Sequence, residues 1–156
     1  MILAHDIYAE TNPVFCSFLL SGFCDFYNTS IEINPEIPLI YLVLPIVLSE
    51  DLSSTFLGCN IKTGLLVWLE RNPCVLNELT KRVNSTLAIT TEAIRFGCIS
   101  KILKLNVDGT VVGNNIKLER LMKDNSLSLK KTRLLAYWFS EMGSTRATFE
   151  AMGLTL

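Results

Sequence analysis

Histidine is nearly absent from this chain, which has only His5 among its 156 residues. Metal and acid-base chemistry need convergent titratable groups, and His5 has no cysteine or carboxylate partner at ligand spacing. It reads as an ordinary surface residue. A Walker A loop, a G-x-G-x-x-G loop and a G-x-S-x-G elbow are also missing, so nothing points to nucleotide binding or to a serine nucleophile. Lys62-Thr63-Gly64 is an isolated tripeptide. The five cysteines, Cys16, Cys24, Cys59, Cys74 and Cys98, are odd in number and form no C-x-x-C pair. Free thiols among apolar neighbours are expected, not a zinc site or a disulfide framework. These gaps predict no catalytic, metal-binding or cofactor-binding residues, and therefore a protein that is not an enzyme.

Long apolar runs are lacking too. The longest, residues 37–48, spans twelve residues and contains Pro38 and Pro45, whereas a membrane-spanning helix needs roughly twenty. It reads as core. Met1-Ile2-Leu3-Ala4-His5-Asp6 offers no basic n-region, and Asp6 and Glu10 interrupt any apolar h-region. A cytoplasmic location is the expectation.

Positive charge is scarce in one half of the chain. Residues 1–78 hold two Lys or Arg against nine Asp or Glu, while residues 79–156 hold twelve against six. The net charge of −1 thus conceals an acidic half and a basic half. Such a division concerns partners, because a one-sided field attracts an oppositely charged surface such as nucleic acid or an acidic protein. With 49% apolar residues, the chain has enough to build a core, and its length fits a single domain over 1–156.

Asn12-Pro13 predicts the start of a helix over 12–27, with Asn12 as cap and Pro13 at the tolerated first position. Its apolar residues (Val14, Phe15, Phe18, Leu19, Leu20, Phe23, Phe26, Tyr27) exceed one stripe, so this helix is expected to be enclosed as a central pillar. A polar loop follows over 28–36. Periodicity does not separate a buried strand from a helix kinked at Pro45 in the 37–48 run; helix is preferred. After a Ser-rich connection over 49–61, residues 64–71 read as a short helix with Leu65, Leu66, Trp68 and Leu69 inward. Asn72-Pro73 opens a second helix using Val75, Leu76, Leu79 and Val83, and a third begins near Thr90 or Thr91 and uses Ala93, Ile94 and Cys98. Leu103, Leu105 and Val107 alternate with Lys104 and Asn106, and Asp108-Gly109 reads as a two-residue hairpin turn into Thr110-Val111-Val112.

Three helices followed by a hairpin give a winged-helix-like unit over about 62–113. Beyond a polar, partly helical connection over 113–127, Ser128 is the expected cap of an amphipathic helix carrying Leu134, Leu135, Trp138, Phe139 and Met142 and ending at Gly143. Ser144 caps a last helix with Phe149 and Met152 on its apolar face. The fold class is therefore mainly α (α+β), with packing helices 12–27 and 129–153.

The candidate site residues are basic. Lys101 and Lys104 flank the hairpin, Lys117, Arg120 and Lys123 follow it, and Lys130, Lys131 and Arg133 occupy the first turn of the amphipathic helix. Cations there oppose the helix dipole by roughly 0.3 to 1 kcal/mol each, which an acidic or phosphate partner would offset; screening by solvent is the equally weighted alternative. Lys101, Lys104, Lys130, Lys131 and Arg133 are the chosen contacts. Base reading by the third helix fits poorly, since Arg95 is its one basic residue, beside Glu92, Phe96 and Ile99. Any contact with double-stranded DNA is expected at the backbone.

Several ordered segments resemble the middle-component family of bacterial three-component ABC systems. They are Asn12-Pro13-Val14-Phe15-Cys16, Leu42-Val43-Leu44-Pro45-Ile46-Val47-Leu48, Leu66-Val67-Trp68-Leu69 with Asn72-Pro73, and Thr91-Glu92-Ala93-Ile94-Arg95-Phe96-Gly97. Ala136-Tyr137-Trp138-Phe139, Met142-Gly143-Ser144 and Phe149-Glu150-Ala151-Met152-Gly153-Leu154 complete the pattern. The resemblance implies a non-catalytic accessory subunit of an SMC/Rad50-like ABC ATPase complex. It further implies an effector from the same operon and a role in Lamassu-type anti-phage or anti-plasmid defence. The rival readings are a stand-alone winged-helix DNA-binding transcription regulator, which requires a symmetric dimer, and an enzyme, for which no residue speaks.

Overall fold

Among the described residues, Asn12 begins the first helix as its chemistry predicts. In the computed structural model, which describes residues 12–114 and 127–156, its side chain accepts the Val14 N–H at 2.8 Å and Pro13 opens α1 (Pro13–Ile31). The helix runs past Tyr27 and takes over the first part of the expected 28–36 loop. The Thr29 and Ser30 hydroxyls donate to the Asp25 and Phe26 carbonyls at 2.7 and 3.0 Å. Both polar residues are thereby accommodated inside a helix instead of ending it. Glu32, left-handed at φ 58°, closes the turn.

The 37–48 run is helical, but in two pieces, α2 (Ile37–Ile40) and α3 (Val43–Val47). The break falls at Tyr41-Leu42, not at Pro45, because Pro45 lies in the first turn of α3, where its missing N–H removes no helical bond. The Ser-rich connection is itself wound into a 3-10 helix, Glu50–Phe56. α4 (Leu65–Arg71) buries Leu65, Trp68 and Leu69 as expected, whereas Leu66 is 60% exposed.

Beyond α4 the chain departs further from expectation. Asn72-Pro73 opens only a 3-10 turn, Pro73–Val75, and Asn72 makes no capping bond. Leu76 is exposed. After Glu78, also left-handed, a single 21-residue helix α5 (Leu79–Ile99) replaces the two helices read from the sequence. No proline interrupts those residues, and the hydroxyl of Thr86 folds back onto the Arg82 and Val83 carbonyls. The region 62–113 thus contains one short helix, one 3-10 turn, one long helix and the hairpin.

The hairpin pairs β1 (Leu103–Leu105) with β2 (Val111–Gly113), Lys104 facing Val112. Its turn is longer than the predicted Asp108-Gly109 pair. Gly109 N–H donates to Asn106 C=O at 3.1 Å and Asn106 N–H to Thr110 C=O at 2.9 Å, so Val107, Asp108 and left-handed Gly109 (φ 85°) form a three-residue loop. Val107 is therefore a turn residue, not the next inward strand position. The outer side of β2 is covered by the chain before α2: Val111 N–H donates to Pro35 C=O and Ile37 N–H to Gly109 C=O.

α6 (Leu127–Glu141) and α7 (Thr145–Ala151) complete the chain. Ser128 lies within α6, not at its cap, while Ser144 caps α7 by accepting the Ala147 N–H at 3.0 Å. α1 is the pillar: α5, α6 and β2 all pack against it, and α3 touches both α5 and α6. Phe56, Trp68 and Trp138 form one aromatic cluster, and Phe23 meets Phe139 edge-on at 6.0 Å. Both indole N–H groups are satisfied by carbonyls, Trp68 by Thr55 and Trp138 by Asn60. Among the described residues no single helix is long and apolar enough to cross a membrane.

Candidate partner interface

α5 ends in a tight reversal that positions the basic residues before the hairpin. Ile102 N–H donates to Gly97 C=O at 2.8 Å and Lys101 N–H to Cys98 C=O at 3.3 Å. This is the six-to-one and five-to-two bonding of a Schellman cap, with Lys101 at the left-handed position, φ 62°. Glycine is the usual occupant there, since a side chain crowds the backbone at positive φ. Lys101 is held nonetheless, its carbonyl accepting the Asn114 amide. Its side chain is exposed.

Lys104, two pleats along, is exposed on β1. Together with Cys98, Leu103, Leu105 and Asn114, the two lysines line an open groove of about 520 Å³. The wall is mixed: Leu105 is 49% exposed, so cation and apolar surface lie side by side. Beyond the strand, the turn projects Val107 fully into solvent. Asp108 beside it is occupied within the turn, accepting both Thr110 Oγ1 (2.6 Å) and Thr110 N–H (3.0 Å). Those bonds hold its carboxyl below the usual carboxylate range.

The basic residues of α6 do not act as a set. Lys130 and Arg133 are exposed, and the Arg133 guanidinium lies over the Phe26 and Tyr137 rings at 5.7 and 5.9 Å. Lys131 is 4% exposed, and this corrects its assignment as a surface contact. Its Nζ donates to Ser53 Oγ at 2.6 Å and Val47 C=O at 3.3 Å, and sits 5.9 Å from the Phe56 centroid. A signal for this was present. Lys131 precedes Leu135 by four residues and Trp138 by seven, which places it on the inward stripe. Lys117, Arg120, Lys123 and His5 lie outside the described residues.

Arg95 is paired with Glu92 at 3.3 Å, and Arg82 forms a fork with Asp51, both on the surface. Among the described residues no three His, Cys, Asp or Glu side chains cluster as metal ligands. Cys24, Cys59, Cys74 and Cys98 carry free thiols; burial pushes that of Cys24 far above its ordinary value.

The groove, the outward lysines and the bare hairpin tip adjoin one another around the β1–β2 hairpin. The family model for the ABC-three component (ABC-3C) system Middle Component 3 matches residues 2–156. The chain belongs to this family. No curated protein and no solved structure matches it. As a Middle Component 3 protein it has an accessory role in an ABC-3C system, and its partners are ABC components of that system. The candidates Lys101 and Lys104 are on the surface, and Val107, which the alternating pattern made a strand residue, is exposed in the turn.

Proposed function

We propose that this Middle Component 3 protein is a non-catalytic, cytoplasmic accessory subunit that holds an SMC/Rad50-like ABC ATPase in a bacterial anti-phage or anti-plasmid defence complex. An effector from the same operon completes that complex. The observation that carries the reading is the match to the family along residues 2–156. The lysine pair supports it. Lys101 occupies a backbone position that disfavours any side chain, and strained residues of this kind concentrate where a surface is used. Lys104, Lys130 and Arg133 add exposed positive charge suited to an acidic protein face.

A tagged pull-down from the native cell, at moderate salt and with nuclease, tests this reading. Recovery of an SMC/Rad50-like ATPase is expected. Recovery of the protein alone, with DNA retained only when nuclease is omitted, overturns it in favour of a stand-alone regulator.

A further inference from the structure

Valine at position 107 has no explanation within the fold. It touches no core, and a β-branched residue is a poor choice for the centre of a tight turn, where Pro, Asn, Asp, Ser and Gly prevail. The turn around it is strongly braced. Asn106 Nδ2 donates to Thr110 Oγ1 at 3.0 Å, Thr110 donates to Asp108, and Ile37 N–H holds Gly109 C=O at 3.0 Å. A braced turn that presents one apolar side chain to water has little conformational freedom to lose on binding, which is the condition for an anchor residue.

We propose that Val107 is a knob that enters an apolar socket on an ABC component of the same system, with carboxylates on the socket's rim meeting Lys101 and Lys104. The proposal rests on the accessory-subunit reading and names its point of contact. Leu105 continues the apolar surface from the tip into the groove, and Lys104 lies three residues of chain from Val107, at most about 11 Å. Charge selects the occupant. A second copy of this chain docking hairpin to hairpin sets lysines against lysines, which is unfavourable at close pairing. A DNA backbone satisfies the lysines but leaves Val107 and Leu105 without apolar cover. An acidic rim around an apolar socket satisfies all four.

The test uses the intact chain and the other two components of its own system, each purified, with dissociation constants measured at fixed salt. Val107→Asp is expected to weaken binding to one component by about tenfold or more, the scale of a lost anchor, with the melting temperature unchanged because the site is fully exposed. Lys104→Glu should weaken the same interaction. Lys81→Glu, at the opposite end of α5 and roughly 30 Å away along the helix, should not. Val107→Asp binding within twofold of the wild type overturns the knob and leaves the accessory role standing. Wild-type protein that binds neither component overturns both. Capture of duplex DNA that is lost with Lys101→Glu and Lys104→Glu but kept with Val107→Asp reassigns the surface to nucleic acid and overturns the knob. Should Val107→Asp disturb folding, protection of the 103–112 amides from hydrogen exchange in the wild-type complex decides the matter, and unchanged exchange there refutes the proposal.

Discussion

The Leu103 side chain fills the space that a side chain on Gly97 would need. A Cβ at Gly97 would lie 2.7 Å from Leu103 Cδ1 and 2.9 Å from Cγ. α5 and the hairpin approach as closely as they do only because position 97 carries hydrogen alone. Leu103 is itself buried, so it has little room to retreat. Gly97→Ala should therefore destabilise the fold by about 1 to 3 kcal/mol, the range for forced overpacking. Chemical denaturation measures it; an unchanged midpoint would show that Leu103 repacks freely.

Lys101→Gly should separate stability from binding. Relieving a left-handed, non-glycine residue is expected to add about 1 kcal/mol, although the more flexible unfolded chain reduces that gain. The same change removes a cation from the groove, so affinity for the partner component should fall as the melting temperature rises. If both move the same way, Lys101 is not a contact residue.

Lys130 and Lys131 are neighbours in sequence with opposite environments. Lys130→Glu is expected to change stability by no more than about 0.5 kcal/mol, as an exposed substitution does. Lys131→Glu places an acid beside Val47 C=O and the Phe56 face and should cost on the order of 3 to 5 kcal/mol. Urea titrations of the two variants distinguish them. Charge reversals meant to probe partner binding should therefore use Lys101, Lys104, Lys130 and Arg133 and leave Lys131 intact.

Asp25 gives the fold a pH dependence of defined sign. Half-buried against Gly113, its carboxyl is raised above the ordinary carboxylate range by desolvation. The folded state then binds the proton more tightly than the unfolded chain. The associated stability is fully present below the unfolded value and is lost as pH rises through the folded one. Asp25→Asn should accordingly stabilise the protein at neutral pH and make little difference in acid. Asp51, lowered by its hydrogen bond from Arg82, and Asp108, lowered by Thr110, act in the opposite sense. The difference between variant and wild type isolates Asp25.

Local chemistry made much of the fold legible. Asn12 with Pro13 and Gly143 with Ser144 determine structure through neighbouring atoms and stand where the sequence places them; the alternation from Leu103 located the strand β1 but not its inward face, since Leu105 is exposed and Val107 lies in the turn. What was hidden depends on residues distant in sequence. No local signal distinguishes a cap at Asn72 from one that fails, and α5 is continuous because α1 and α3 pack along it. The candidate site divides in the same way. Lys101 and Lys104 were visible as charges near a turn. The burial of Lys131 required giving helical period precedence over charge, and the exposure of Val107 followed from a turn longer than Asp108-Gly109 alone suggests.

The chain's two tryptophans are the members of a single cluster, with ring centroids 5.3 Å apart and planes inclined at 38°. At that separation and tilt their ultraviolet transitions mix, which should give the protein an exciton couplet in circular dichroism. Since one indole stands on α4 and the other on α6, the couplet is an optical gauge of how these two helices are seated. It can be read without any label, and it will vanish when they part.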